Sequence, residues 1–335
     1  MSLIRLLLSA LFLFPVIARG ESPAPRKVPR ILFLGDSNTY AGQYITYLEA
    51  WHRRHHPDEP TEFINLGLPS ETASGLSEPA HPFPRPCVHE RLDRVLEKTK
   101  PNVVFIAYGM NDGIYYPLTP EHLAAYEKGL QEIVDKVKAI NGIAILLTPP
   151  PFEAAPLKAA GKLKPAGEKE YAWFAPYENY DDTLAEFSKS VLKLGGVATP
   201  ADGKKKAPRA ALFQGLDFDL SRFAIDTRTP LVALLKEKQK ADPKYHLAGD
   251  GIHFNADGHE VIARTIWKEL ELGPADPGPL PPPEVLKLST QRQELLRDAW
   301  LTHVGHKRPG VAAGEPLEAA QAKAAELLKK IDAAK

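Results

Sequence analysis

The sequence predicts an α/β fold with a central parallel sheet covered by helices on both faces. Short apolar runs alternate with longer amphipathic ones along the chain, and the middle short runs are nearly all apolar, as in strands buried on both faces. Strands that alternate with helices imply parallel neighbours, because parallel pairing needs a crossover between strands. With 335 residues, 44% of them hydrophobic, the chain can bury one sizeable core and carry appendages at either end.

Taken in order, Arg30 to Leu34, Glu62 to Leu66, Val103 to Tyr108, Ile143 to Leu147 and Arg222 to Ile225 read as strands. Ala41 to Arg54, Val88 to Thr99 and Glu121 to Ile140 read as helices between them. In the last, Leu123, Tyr126, Leu130, Val134 and Val137 recur at helical spacing behind a Thr119-Pro120 start. Asp182 to Leu194, Pro230 to Lys240 and Asp257 to Leu272 continue the pattern. Such a sheet places its functional site at the carboxyl ends of the strands.

Two stretches interrupt the rhythm. Pro149 to Asn179 holds prolines, glycines and the aromatic group Tyr171, Trp173, Phe174 and Tyr177; Gly195 to Gln214 holds Lys204, Lys205 and Lys206. The aromatic stretch is expected either to overhang the site as a lid or sugar-stacking wall, or to pin a long loop to the body. The lysines are expected on a solvated loop.

The ends of the chain read differently from its middle. Arg5 precedes an apolar run from Leu6 to Ile17, broken by Pro15 and too short to span a bilayer comfortably, with Ala18 and Gly20 as small residues for a signal peptidase. This predicts a secretory signal over residues 1–20, with a retained membrane anchor as the lesser alternative, a flexible leader over 21–29, a main domain over 30–272, a Pro-rich linker over 273–283 and a helical extension over 284–335. The mature protein is then expected to be secreted or periplasmic, with no stable membrane insertion once the signal is cleaved. The extension holds two helices, Glu284 to Trp300 and Leu317 to Ala334, with no catalytic spacing in either.

Charge and cysteine usage exclude some functions. Basic and acidic residues balance at 42 each, so the total charge draws the protein neither to nucleic acid nor to an anionic membrane surface. Cys87 is the single cysteine, so no intrachain disulfide can form. It follows the Pro-rich run His81 to Pro86 and lacks the setting of a nucleophile. His52, His55 and His56 are expected on a solvated helix end, since no carboxylate converges on them to bind a metal.

Three short segments carry chemistry. Gly35-Asp36-Ser37 directly follows the first strand, so the serine is presented at the sheet's carboxyl edge, although Gly-Asp-Ser is also a common turn composition. Gly249-Asp250-Gly251-Ile252-His253 precedes the last helix of the main domain. An aspartate three residues before a histidine lets one loop supply both a base and the group that orients it, although in isolation the pair reads first as a loop hydrogen bond or an incidental pair, and less readily as metal ligation. Between them, Gly109-Met110-Asn111-Asp112 follows the third strand, where the Asn111 amide could donate to a developing oxyanion and the Gly67 N–H could be a companion donor. Tyr115 and Tyr116 follow that loop and either line a substrate pocket or pack beneath it.

In this order, Gly35-Asp36-Ser37, Gly67, Gly109-x-Asn111-Asp112 and Asp250-x-x-His253 resemble the four blocks of the SGNH (GDSL) hydrolase superfamily, over about Arg30 to Leu272. The resemblance implies a three-layer α/β/α flavodoxin-like sandwich without a metal or organic cofactor. It implies Ser37 as nucleophile, His253 as base and Asp250 as its partner, with the Ser37 and Gly67 N–H groups and the Asn111 side chain as oxyanion hole. Asn38 stands where the name-giving pattern has leucine, a position the family varies. The implied substrate is a small-molecule or oligosaccharide ester, acetyl on a carbohydrate foremost. Lysophospholipase, thioesterase or arylesterase chemistry, acyl transfer to a sugar, and a binding role on a retired scaffold stay open.

Overall fold

The structure is a computed structural model that describes residues 28–196 and 222–334. Its sheet has five parallel strands: β1 (Arg30–Gly35), β2 (Glu62–Asn65), β3 (Val103–Ala107), β4 (Ile143–Leu147) and β5 (Arg222–Ile225). Their spatial order is β2-β1-β3-β4-β5. The order reverses between β1 and β3, and the crevice at their carboxyl ends is where a doubly wound sheet accommodates ligands.

Helices flank the sheet: α1 (Ser37–Ala41), α2 (Gln43–His55), α3 (Leu92–Thr99), α4 (Pro120–Ala139), α5 (Ala154–Ala159), α6 (Tyr180–Leu194), α7 (Arg228–Ala241) and α8 (Ala256–Glu269). Alternate strand residues enter opposite layers, as the period of two requires. Leu32, Leu34, Val104, Ile106 and Leu146 join Leu130 and Ile133 of α4 and Phe187 of α6. Ile31, Phe33, Phe105 and Ile145 join Leu48 and Trp51 of α2 and Ile266 and Trp267 of α8. The result is the three-layer α/β/α flavodoxin-like sandwich that the sequence predicts. The helix predicted from Ala41 to Arg54 begins at Gln43 as α2, because Gly42 takes a left-handed φ of 72° and caps a short helix, α1, that the periodicity does not signal.

The C-terminal extension is docked on this body. Its helices are α9 (Pro283–Val304) and α10 (Leu317–Ala333), and α9 packs along α2 and the edge strand β2, covering an otherwise open strand. Arg292 pairs with Glu49 at 2.6 Å, while Arg297 donates to the Tyr40 carbonyl at 2.8 Å and lies 3.9 Å from the centre of its ring.

The histidine cluster departs from the expectation of a solvated helix end. His52 is buried, and His55 and His56 pack on Trp267 while donating to the carbonyls of Pro277 at 3.0 Å and Leu272 at 2.7 Å. The Pro-rich segment after α8 folds back over this end of α2, which no local pattern in α2 signals. Among the described residues no group of three or more His, Cys, Asp or Glu side chains is arranged to hold a metal, and no helix is long and apolar enough to cross a membrane. The predicted signal, nearly all of the leader and the lysines Lys204 to Lys206 lie outside the described residues.

Candidate active site

Ser37 opens α1 just beyond the end of β1. Asp36 caps the helix, its Oδ1 accepting the Asn38 N–H at 3.0 Å, which fixes the turn that presents the serine. His253 arrives from the far end of the main domain, on the loop between α7 and α8. Glu153, after β4, holds that loop by accepting the Ala248 N–H at 2.7 Å and bonding His246 Nδ1 at 3.0 Å.

The loop delivers an imidazole in a defined orientation. Asp250 Oδ1 accepts the N–H groups of Ile252 and His253 at 2.9 and 2.8 Å, and its Oδ2 accepts the ring Nδ1–H of His253 at 2.6 Å. That bond leaves Nε2 as the acceptor, and it lies 2.8 Å from Ser37 Oγ. The hydrogen bond to Asp250 raises the His253 pKa above its usual value, against burial, which lowers it. Burial pushes the Asp250 carboxyl up, but the bonds from the His253 ring and from two backbone N–H groups outweigh it and hold the group below the usual carboxylate range. Asp36, by contrast, is buried among few donors, and burial raises its pKa to about 6.

Asn111 stands at the carboxyl end of β3, one strand over from Ser37. Its Oδ1 accepts from Arg85 Nη1 and from the Tyr115 hydroxyl, both at 3.0 Å, which orients the carboxamide and leaves Nδ2 with only a 3.4 Å contact to the Glu71 carbonyl. Arg85 is itself clamped, its Nε and Nη2 each donating to Glu78 at 2.6 Å. The next turn is anchored the same way: Arg91 grips Glu71 through Nε at 2.7 Å and Nη2 at 2.6 Å, and the Tyr108 hydroxyl donates to Glu71 at 2.6 Å. Asp112 ties the two loops together by accepting the N–H groups of Ala73 and Ser74 at 2.7 Å each. Burial raises its pKa to about 7 despite these bonds.

These groups open on a cavity of about 270 Å³ lined by Ser37, His253, Asn111 and Tyr115, with Arg85 on its wall. Tyr115 serves both expected purposes, since it lines the cavity and stacks on Tyr180 beneath it at 4.9 Å. The aromatic stretch divides its roles too. Tyr171 is buried and donates to the Pro165 carbonyl at 2.7 Å, pinning the loop, whereas Trp173, 45% exposed, lines the cavity.

Gly67 is not brought to the cavity. Its N–H donates to Asn65 Oδ1 at 2.9 Å, and an added Cβ would stand 2.3 Å from the Tyr40 backbone nitrogen. The glycine is there to let α1 close against the end of β2. The residue that lines the cavity from this segment is Ser70, in a left-handed conformation with φ of 67°. Its only sequence signal is the Pro69-Ser70 turn pair beyond the strand. Sequence reasoning also missed Arg85, which lies in the Pro-rich run His81 to Pro86, and Arg308, which reaches the cavity from the C-terminal extension.

Serine, imidazole and carboxylate stand in line beside the switch point of a flavodoxin-like sheet. The chain belongs to the GDSL-like lipase/acylhydrolase family, which matches residues 33–261, and is thereby placed among hydrolases of carboxylic esters. Comparison with curated proteins finds no match. Among solved structures the chain is similar to BT4096, a gut microbial diltiazem-metabolizing enzyme, at 20% identity and a TM-score of 0.50, over 73% of this chain and 47% of that one. It therefore spans about half the length of that protein. It is also similar to the acetylxylan esterase Axe2 from Geobacillus stearothermophilus at 19% identity and a TM-score of 0.48, over 72% of this chain and 94% of that one. A third likeness is to LAE5, an alpha/beta hydrolase from the metagenome of Lake Arreo, Spain, at 20% identity and a TM-score of 0.46, over 73% and 95%. At these identities the likeness is one of fold.

Proposed function

We propose that this protein is an exported serine esterase that removes short acyl groups, acetyl foremost, from a carbohydrate through an acyl-enzyme on Ser37. The observation that carries the reading is the hydrogen-bonded series from Asp250 through His253 to Ser37, opening on a cavity beside Asn111.

In the proposed reaction Ser37 Oγ attacks the ester carbonyl and its proton passes to His253 Nε2, while Asp250 stabilises the imidazolium. The oxyanion then meets the Asn111 amide, whose carbonyl side is held by Arg85 and Tyr115. Backbone donors come from Ser37 and Ser70, whose N–H groups have no acceptor among the described residues. The Pro69 carbonyl accepts from Arg308, so the Ser70 N–H of the same trans peptide points the opposite way. As the carbon–oxygen bond to the alcohol breaks, His253 returns its proton to that oxygen. Water then repeats the sequence to release the acid and free Ser37.

Short acyl groups suit a cavity of about 270 Å³ whose wall beside Ser37 includes the buried side chains of Arg85, Asn111 and Tyr115. A saccharide suits the exposed lining residue Trp173, whose ring offers an apolar face. The secretory signal expected over residues 1–20 would bring the enzyme to such substrates. A fluorophosphonate probe followed by peptide mass analysis tests the mechanism: modification at Ser37 is expected, and no modification together with no ester turnover overturns it. Paired p-nitrophenyl acetate and laurate test the acyl length, and preference for laurate would reject the short-acyl reading.

A further inference from the structure

Arg308 lies between α9 and α10, in an extension that contributes no strand to the sheet, yet it lines the same cavity as Ser37 and His253. The guanidinium is held in place from two sides. Its Nε donates to the Pro69 carbonyl at 2.7 Å and its Nη1 to the Pro309 carbonyl at 2.6 Å, and its Cζ lies 5.4 Å from the centre of the Phe83 ring. Nη2 donates to no acceptor, and no carboxylate pairs with Arg308, among the described residues.

The other charges at the cavity are compensated. Arg85 is matched by Glu78, and His253 by Asp250. The His81 ring is tied to the Phe83 carbonyl at 2.5 Å, and burial pushes its pKa down. One positive charge is therefore left over, half-buried and fixed in orientation, with N–H groups unspent. A guanidinium in that state is suited to a carboxylate, whose two oxygens match its planar donors and whose charge is poorly screened in a recess.

We infer that Arg308 binds a carboxylate on the alcohol limb of the ester, so that the substrate class is an acylated acidic saccharide, a uronate, rather than a neutral one. The inference rests on the serine-esterase reading for the identity of the reaction. The alcohol limb is assigned because, in the short-acyl reading, the acyl group lies against the buried Arg85, Asn111 and Tyr115, whereas the lining residues Trp173 and Arg308 are more exposed and suit the larger limb. A uronate carries its carboxylate on the same ring that would lie on the Trp173 face.

The test uses para-acetoxybenzoate and its methyl ester, which differ in the charge alone at nearly the same size. In full-length Ser37→Ala protein, titration calorimetry is expected to show the acid binding about tenfold or more tightly than the methyl ester. That preference should shrink as salt is raised and vanish when Arg308→Gln is added. In protein retaining Ser37, the ratio of kcat/KM for acid over methyl ester should fall about tenfold with Arg308→Gln and be largely kept by Arg308→Lys. The ratio remains informative if Arg308→Gln disturbs the Pro69 turn, because both esters then suffer together. Equal binding of the two esters, or a ratio indifferent to Arg308→Gln, overturns the inference and leaves the esterase reading standing. Preferential binding of the acid without hydrolysis of either ester supports the carboxylate site and rejects the esterase reading.

Discussion

The carboxamide of Asn38 grips the backbone on both sides of His253: its Nδ2 donates to the Ile252 carbonyl at 3.1 Å and its Oδ1 accepts the Phe254 N–H at 3.1 Å. Asn38 directly follows Ser37, so one side chain ties the turn bearing the hydroxyl to the loop bearing the imidazole. The position where this chain departs from the name-giving pattern is the clasp between two halves of the candidate site. Asn38→Leu removes both bonds and strands a buried N–H and carbonyl, at about 1–3 kcal/mol for each. The expected outcome is a lower urea midpoint together with a kcat reduced about tenfold or more; an unchanged kcat in a folded variant would remove Asn38 from the site.

Arg85 acts on the candidate oxyanion donor without replacing it. A lysine at this position carries the charge but cannot grip Glu78 with two N–H groups and donate to Asn111 Oδ1 at once. Arg85→Lys is expected to lower kcat by about 10- to 100-fold with a smaller change in KM, while Asn111→Ala costs about 100-fold or more. Combining the two should cost little beyond Asn111→Ala alone, because the arginine acts through that amide. Additive losses in this double-mutant cycle would show that Arg85 serves the reaction by another route.

The pH dependence follows from the Asp250 bond. In the proposed reaction His253 must be neutral to accept the Ser37 proton, and its pKa is raised above the usual 6.5, so activity is expected to be absent at low pH and to appear as pH climbs through that raised value. Asp250→Asn removes the cause of the shift, and the activity that remains should titrate at lower pH than in the parent. Profiles of kcat/KM against pH for the two proteins make the comparison, and an acid limb that stays in place would mean another group is titrating.

Asp112 makes the opposite demand on stability. Its folded pKa is raised to about 7 from an ordinary 3.8, so the folded chain holds a proton there that the unfolded chain releases. This contribution is fully present below about pH 4 and is lost as pH rises through about 7. Asp112→Asn keeps an oxygen for the Ala73 and Ser74 N–H groups and removes the titration. The melting temperature of the variant relative to the parent should therefore improve between pH 5 and about pH 8. A difference that stays constant with pH would show that Asp112 is ionised in the folded protein throughout.

Much of the fold was legible from local pattern. β4 and β5 fall on their predicted bounds, and the other strands differ by one residue at one end, because a mainly apolar run of strand length leaves few alternatives. The segments holding Ser37, Asn111 and Asp250 with His253 were legible because each sits in a turn next to a strand or helix end. Gly67 was legible as important and misread in purpose, since a glycine that gives room to a neighbouring helix has the same sequence signature as one that offers its N–H.

By itself the sequence determined the succession of elements and which side chains stand at strand ends, since periodicity and turn chemistry act over a few residues. Tertiary structure alone decided which backbone donors face the cavity, how the Asn111 amide is turned and what charge the cavity carries. Those properties come from contacts between distant segments, 216 residues apart for His253 and Ser37 and 239 for Arg308 and Pro69. Packing joins such segments, and no short stretch of chain records its partner.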